Sequence, residues 1–240
     1  MKRRYVIGVV AVLGAALGCR GSGVAKSGVA NRGSGVESSE SQQSPDARNP
    51  IPDTRATIVF LGTSLTAGYG LDDPTTQAYP AVIQARLDSA GRRFRVVNAG
   101  VSGESSAGAL SRIDWLLTRD SVAILFIETG ANDALRGQSP DSVRARIQAM
   151  IDRIHRAPHP PRIVLVGMEA LPNLGAGYVR QFRAIYPALA KANQAVLVPF
   201  LLAGVGGVDS LNQADGIHPT ARGHRIMADN IWKVLEPITR

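Results

Sequence analysis

Short apolar runs alternate with longer amphipathic segments from residue 57 to the C-terminus. The short runs are rich in Val, Ile and Leu, and they predict five strands, at residues 57–61, 95–98, 122–127, 162–167 and 196–198. The longer segments between and after them predict helices near residues 78–89, 105–117, 140–156, 178–193 and 220–235.

The predicted strands are apolar at most positions, as in the uninterrupted run from Ala123 to Ile127. Strands of this kind are buried on both faces, which is typical of a parallel sheet covered by helices on each side. The alternation therefore predicts an α/β fold for residues 56–240. We expect a single domain with three α/β/α layers, built on a doubly wound, flavodoxin-like, five-stranded parallel sheet.

The first 19 residues have the pattern of a bacterial export signal. Three basic residues precede the apolar stretch 5–18, whose fourteen residues are fewer than the ~20 that a membrane-spanning helix needs. Cys19 is the single cysteine of the chain, and the preceding Ala16-Leu17-Gly18 resembles a lipoprotein signal, although Leu is preferred where Ala16 stands. We expect a signal peptide at residues 1–18 and lipidation of Cys19, with ordinary cleavage nearby as the alternative.

Composition and charge indicate a flexible segment and argue against some classes of partner. Residues 19–55 are rich in Gly, Ser, Gln and Pro and poor in large apolar residues, so we expect a flexible tether there. The formal net charge of +8 is divided equally between residues 1–56 and the remainder, and no basic stripe with interleaved aromatic residues occurs. This pattern argues against a nucleic-acid partner.

No His, Cys, Asp or Glu cluster has the spacing of a metal site, and we expect no metal and no cofactor.

The residues that follow the predicted strands carry the candidate chemistry, because ligands of open α/β sheets bind outside the carboxyl ends of the strands. Ser64 follows the first strand, in a turn flanked by Gly62 and Gly68. A serine held forward in such a turn suits a nucleophile, and a helix N-cap is an equally good interpretation of this segment alone. A phosphate-binding loop is disfavoured because no Lys follows the glycines.

The second and third strands are also followed by groups that could stabilise a negative charge. Gly103 has no Cβ, so its backbone N–H can approach a ligand closely, although a plain turn explains the same residues. The Asn132 amide can donate to a developing oxyanion, although Asn is also common in turns. We interpret the adjacent Asp133 as structural.

A candidate base precedes the last predicted helix. His218 follows Asp215 by three residues, so the carboxylate can accept from Nδ1–H and leave Nε2 free to take a proton. A structural histidine is the alternative, and His155, His159 and His224 are weaker candidates for a base. Nucleophile, base, orienting carboxylate and oxyanion donors together form the set that acyl transfer requires.

At this point the chain resembles the SGNH, or GDSL-type, hydrolases over about residues 57–237. Four motifs carry the resemblance, in order along the chain: Ser64 in Gly-Thr-Ser-Leu, Gly103, Asn132 in Gly-Ala-Asn-Asp, and His218 in Asp-Gly-Ile-His-Pro. The stretches 64–70, 132–137 and 184–190 are similar to the bacterial arylesterase and thioesterase I branch.

The resemblance implies a role for each motif. Ser64 would be the nucleophile, with Asp215 and His218 completing the triad. The N–H groups of Ser64 and Gly103 and the amide of Asn132 would form the oxyanion hole. The family usually has Asp where Thr63 stands, and we expect the hydroxyl to hydrogen-bond locally and less strongly than a carboxylate.

The resemblance also implies a substrate site. Residues 134–139 would form a mobile flap that includes Leu135, and Leu171 and Pro172 would line an acyl groove. The implied function is that of a serine ester hydrolase, acting on an aryl ester, an acyl thioester or a lysophospholipid.

Other functions stay open at this stage. A carbohydrate or cell-envelope acetylesterase and a non-catalytic binding lipoprotein are the alternatives, and a flavodoxin-like nucleotide binder is disfavoured. We expect an exported, membrane-tethered monomer whose partner is a small acyl ester or thioester.

Overall fold

A computed structural model of the chain describes residues 54–118 and 122–240. The predicted signal peptide at residues 1–18, the lipidation of Cys19 and almost all of the tether at residues 19–55 lie outside the described residues. No helix in the described part of the chain is long and apolar enough to cross a membrane.

The described residues form a five-stranded sheet in the order β2-β1-β3-β4-β5, and all neighbouring strands are parallel. The strands are β1 (Ala56–Gly62), β2 (Phe94–Gly100), β3 (Val122–Ile127), β4 (Arg162–Val166) and β5 (Val196–Val198). The strand order reverses after β2, which is the doubly wound pattern that the hydrophobic runs predict.

Eight α-helices lie in the described segments: α1 (Ser64–Ala67), α2 (Pro74–Gln77), α3 (Tyr79–Ser89), α4 (Ser106–Leu117), α5 (Ala131–Leu135), α6 (Pro140–His155), α7 (Ala176–Ala192) and α8 (Ala221–Leu235). Helix α3 packs on α8, whereas α4 packs on α6 and α6 on α7. The two groups cover opposite faces of the sheet, so the α/β/α architecture is confirmed. Short 3-10 helices occur at Pro172–Leu174, Asp209–Leu211 and Glu236–Ile238.

The core is centred on the two middle strands. Residues 58–61 of β1 and 126–127 of β3 are fully buried, and the rings of Phe60 and Phe126 stack with centroids 4.3 Å apart. Burial of an apolar side chain of this size contributes roughly 1.5–3 kcal/mol to stability, so these two strands account for a large part of the stability of the core. Their carboxyl ends carry the turns that hold the candidate site.

Candidate active site

Ser64 is the first residue of α1, directly after β1. Thr63, rather than Ser64, is the N-cap of this helix, and its Oγ1 accepts from the Leu65 N–H at 3.4 Å. The alternative interpretation of Ser64 as the N-cap is therefore wrong, and its hydroxyl is available for another contact. Gly62 is required just before this turn, because a Cβ there would lie 1.9 Å from Thr66 Oγ1.

The turn before α8 brings a histidine and a carboxylate to Ser64. His218 Nε2 lies 3.0 Å from Ser64 Oγ, and His218 Nδ1 lies 2.6 Å from Asp215 Oδ2. Asp215 Oδ1 accepts from the backbone N–H groups of Ile217 and His218, each at 3.0 Å. The fold thus connects the three side chains in series by hydrogen-bonding distances, although His218 follows Ser64 by 154 residues in the sequence.

The charge state of Asp215 follows from its contacts. Burial works to raise the pKa of its carboxyl, but hydrogen bonds from the His218 ring and from the backbone N–H groups of His218 and Ile217 outweigh that effect and lower the pKa overall. The carboxylate is therefore ionised at neutral pH and accepts from Nδ1–H, which leaves Nε2 as the acceptor facing Ser64. The Tyr69 ring packs beside the His218 ring, with centroids 4.7 Å apart.

Gly103 and Asn132 line the same cavity as Ser64. The Asn132 Nδ2 donates to the Glu104 carbonyl at 3.0 Å, and since an amide carries two N–H bonds, one remains for a ligand. Gly103 has φ +77°, a backbone conformation that L side chains rarely adopt, and the atom nearest to a Cβ at this residue would be Arg136 Nη2 at 3.8 Å. The backbone conformation therefore favours glycine here, and the close approach of its N–H to a ligand stays a prediction.

A buried carboxylate supports the helix that carries Asn132. Asp133 is fully buried and accepts from the Ser106 N–H and hydroxyl, both at 2.7 Å, and from Arg146 Nη1 at 3.1 Å. These contacts fix the start of α4 against α5. The structural role predicted for Asp133 agrees with this arrangement.

The site opens into a cavity of about 420 Å³ between the loops at the carboxyl ends of the strands. Leu135 and Leu171 line it, but Pro172 does not, because Pro172 begins the exposed 3-10 helix Pro172–Leu174. Sequence reasoning missed several apolar wall residues: Leu65, Met168, Ala170, Leu202 and Ile217. The sequence could have indicated these residues, because they lie shortly after strands or beside His218.

Two further predictions concern this region. The segment 134–139 begins within α5, where Ala134 is buried, and ends at Ser139, the N-cap of α6, so its mobility stays a prediction. In the described residues, no group of three or more His, Cys, Asp or Glu side chains could hold a metal ion.

Comparison with known proteins adds independent information. The GDSL-like Lipase/Acylhydrolase family matches residues 60–226. Over 182 residues the chain is 38% identical to Esterase TesA of Pseudomonas aeruginosa, covering 76% of this chain and 89% of that protein. It is 33% identical over 182 residues to thioesterase 1/protease 1/lysophospholipase L1 of Escherichia coli (strain K12), covering 76% of this chain and 84% of that protein.

A solved structure agrees with these matches. The crystal structure of TesA is similar with a TM-score of 0.71 at 38% sequence identity, covering 76% of this chain and 99% of that chain. The matched region runs from β1 into α8 and includes Ser64, Gly103, Asn132 and His218. The predicted resemblance is confirmed, and the chain belongs to the GDSL-like lipase/acylhydrolase family.

Proposed function

We propose that this carboxylic ester hydrolase works through an acyl intermediate on Ser64, with His218 as general base and Asp215 as its orienting partner. One observation carries the proposal: Ser64 Oγ, the His218 ring and the Asp215 carboxylate are connected by contacts of 3.0 and 2.6 Å. A nucleophile, a base in reach and a third group that orients the base are the requirements of serine catalysis.

In the first half-reaction, Ser64 Oγ attacks the ester carbonyl carbon while His218 Nε2 takes the hydroxyl proton. The tetrahedral intermediate collapses by breaking the bond to the leaving oxygen or sulfur, which receives that proton from His218. In the second half-reaction, water gives a proton to His218 and attacks the acyl carbon. Ser64 Oγ then leaves with that proton, and the carboxylic acid is released.

The negative charge of both tetrahedral intermediates falls on the former carbonyl oxygen. We assign its stabilisation to the backbone N–H groups of Ser64 and Gly103 and to the second amide hydrogen of Asn132. The hydrogen bond from Asn132 to the Glu104 carbonyl holds the amide in place before substrate arrives. Donors that are preorganised in this way contribute about 100- to 1,000-fold each to kcat.

The walls of the cavity favour a substrate with an apolar acyl or aryl group. Leu65, Met168, Leu171, Leu202 and Ile217 line it, and such walls stabilise apolar groups that leave water. An aryl ester, an acyl thioester or a lysophospholipid fits this lining better than an acetylated sugar. The names of the two curated relatives, an esterase and a thioesterase/lysophospholipase, support the same classes.

The location of the enzyme is part of the proposal. The basic and apolar residues before Cys19 support export, and Cys19 is the proposed site of a lipid anchor that is joined to the hydrolase domain by residues 20–55. An exported, tethered enzyme has access to lipid and cell-envelope esters.

The proposal is tested with the Ser64→Ala variant on a series of p-nitrophenyl esters from acetate to decanoate. Loss of the nucleophile of a triad lowers kcat by up to about a millionfold, so we expect hydrolysis to disappear. Ser89→Ala is the matched control, because Ser89 is exposed on α3 and its hydroxyl donates to the Ala85 carbonyl of the same helix.

Each result has a definite meaning. Equal activity of wild type and Ser64→Ala would show that Ser64 is not the nucleophile. A folded wild type that hydrolyses no ester of the series would indicate a binding module instead. The chain length that gives the highest kcat/KM defines the acyl group for which the cavity is built.

A further inference from the structure

Glu128 is a fully buried carboxyl that directly follows β3 and lies beneath the turn that carries Ser64. Its Oε2 accepts from the Thr63 N–H at 2.7 Å and from the Thr66 hydroxyl at 2.9 Å. The Thr63 hydroxyl lies 3.0 Å from both carboxyl oxygens. Within the described part of the chain, every group that donates to this carboxyl is neutral, and no ion pair involves it.

A carboxyl in this place is costly for the fold. Burial raises the pKa of Glu128, the hydrogen bonds from Thr63 and Thr66 offset only part of that effect, and the nearby Glu104 adds to it. An apolar side chain of similar volume would fill the space without this cost. The benefit of the carboxyl is its capacity to accept several hydrogen bonds, and all of them come from the turn between residues 63 and 66.

We propose that Glu128 is a positioning residue for Ser64, which it orients by holding Thr63 and Thr66 on either side of it. The inference rests on the proposed role of Ser64 as nucleophile. Thr63 is held at both its backbone N–H and its hydroxyl, and the same hydroxyl caps the Leu65 N–H. The Thr63 N–H belongs to the peptide group between Gly62 and Thr63, so Glu128 fixes the backbone directly before Ser64. The next peptide group, which contains the Ser64 N–H, is held in turn because the Thr63 carbonyl accepts from the Ala67 N–H at 2.9 Å.

The Glu128 contacts belong to a longer buried chain. Thr66 Oγ1 lies 2.6 Å from the Tyr79 hydroxyl, and the Tyr79 N–H donates to His224 Nδ1 at 3.2 Å. His224 lies on α8, the helix that directly follows the turn carrying His218. The network therefore links the turn of the nucleophile to the helix next to the base.

Thr63 stands where the family usually has Asp, and its hydroxyl donates to Glu128. An Asp at residue 63 would place a second carboxyl about 3 Å from Glu128, and two carboxyls at that distance have to share a proton. The Thr63 hydroxyl donates without that conflict. Thr63 makes the expected local hydrogen bond, with the Leu65 N–H, and its hydroxyl also donates to Glu128, a residue 65 positions away.

The decisive experiment compares Glu128→Met with Glu128→Gln by measuring kcat, KM and the rate at which a p-nitrophenyl phosphonate modifies Ser64. Methionine keeps the unbranched shape but accepts almost no hydrogen bonds, so the turn loses its anchor. Misplacement of a reacting group by about 1 Å costs about 100-fold, so we expect a loss of that order in kcat and in phosphonylation rate, with KM little changed.

Glutamine is the conservative variant that restores function. Its Oε1 can accept from the Thr63 N–H and the Thr66 hydroxyl, while its Nε2 can donate to Thr63 Oγ1. We expect Glu128→Gln to recover most of the kcat that Glu128→Met loses. A residue with a merely structural role would lower thermal stability and leave the kcat of the folded fraction unchanged.

A second pair of variants decides the case in which Glu128→Met does not fold. Thr63→Val removes the hydroxyl at nearly constant shape, and Thr63→Ser retains it, so kcat should fall in the first and recover in the second. Wild-type kcat for folded Glu128→Met, or for Thr63→Val where Glu128→Met does not fold, would overturn the inference. That result would overturn the role of Glu128 alone. The proposed function would fail on a different result, namely full activity of Ser64→Ala.

Discussion

His224 is a buried histidine on α8 that accepts a hydrogen bond from the start of helix α3. Its Nδ1 accepts from the N–H of Tyr79, the first residue of α3, a helix whose own N-cap residue provides no side-chain hydrogen bond. Burial, and secondarily the neighbouring His218, lowers the pKa of His224 to about 4. The imidazole is therefore neutral near pH 7, as an acceptor has to be.

The depressed pKa of His224 predicts a loss of stability in acid. Below about pH 6.5 the unfolded chain binds a proton at this histidine that the folded protein does not bind until about pH 4. Because one pKa unit corresponds to about 1.4 kcal/mol, this linkage removes roughly 3 kcal/mol of unfolding free energy as the pH falls between these values. Urea unfolding at several pH values measures this loss of unfolding free energy.

His224→Asn is the matched variant for this measurement. Its Oδ1 can accept from the Tyr79 N–H, but asparagine does not titrate, so the unfolding free energy should depend less on pH between about 6.5 and 4. A variant with the same pH dependence as wild type would show that other groups cause the acid sensitivity.

Residues differ in how far the sequence alone reveals them. Ser64, Asp215 and His218 could be predicted because each is a polar residue near a glycine or proline at the end of an element. Glu128 also follows a strand, but its role could not be predicted, because the sequence does not show that it is buried and its partners are 62 and 65 positions away. Burial and contact at that range depend on the packed sheet.

At the scale of elements, β2 and α1 approach each other so closely that their contact needs a glycine. A Cβ on Gly100 would lie 2.2 Å from the backbone N of Ala67 and 2.8 Å from the backbone carbon of Thr66. Since backbone atoms cannot turn aside as a side chain can, Gly100→Ala has to displace α1. We expect a loss of about 1–3 kcal/mol in unfolding free energy, as in other overpacked sites, together with a lower kcat/KM.

Gly177→Ala is the control for this substitution. Gly177 lies in α7, and a Cβ there meets nothing within 4 Å. Alanine in a helix is favoured over glycine by roughly 0.5–1 kcal/mol, so this variant should be slightly more stable and fully active. Equal stability and activity of Gly100→Ala and wild type would contradict the close approach of β2 and α1.

Long elements could be predicted and short ones could not. The five predicted strands and the five long helices agree with the structure to within two residues at each end. Helices α1, α2 and α5 have only four or five residues, fewer than two turns, so they carry no hydrophobic period. Helix α1 carries Ser64, and its direction depends on contacts with the sheet. Helix α5 carries Asn132, and its direction depends on the hydrogen bonds of Asp133 to Ser106 and Arg146.

At the scale of the whole molecule, the parallel sheet separates the site from the point where the preceding chain enters. All candidate site residues follow the carboxyl ends of strands or precede α8, whereas residue 56 begins β1 at its amino end. A strand rises about 3.3 Å per residue, so the seven residues of β1 separate the two ends by roughly 20 Å. The first residue of β1 thus lies at the end of the sheet opposite to the cavity.

This separation leads to a prediction for Cys19, the proposed anchor. Cys19→Ala should move the enzyme from the membrane fraction to the soluble fraction of cells, because the residue that would carry the lipid is gone. Its kcat and KM on p-nitrophenyl butyrate should stay at wild-type values, since the chain before β1 enters at the end of the sheet opposite to Ser64. Ser22→Ala is the control and should remain with the membrane. Retention of Cys19→Ala in the membrane fraction would rule out an anchor at this residue, whereas a lower kcat would show that the N-terminal residues contribute to the site.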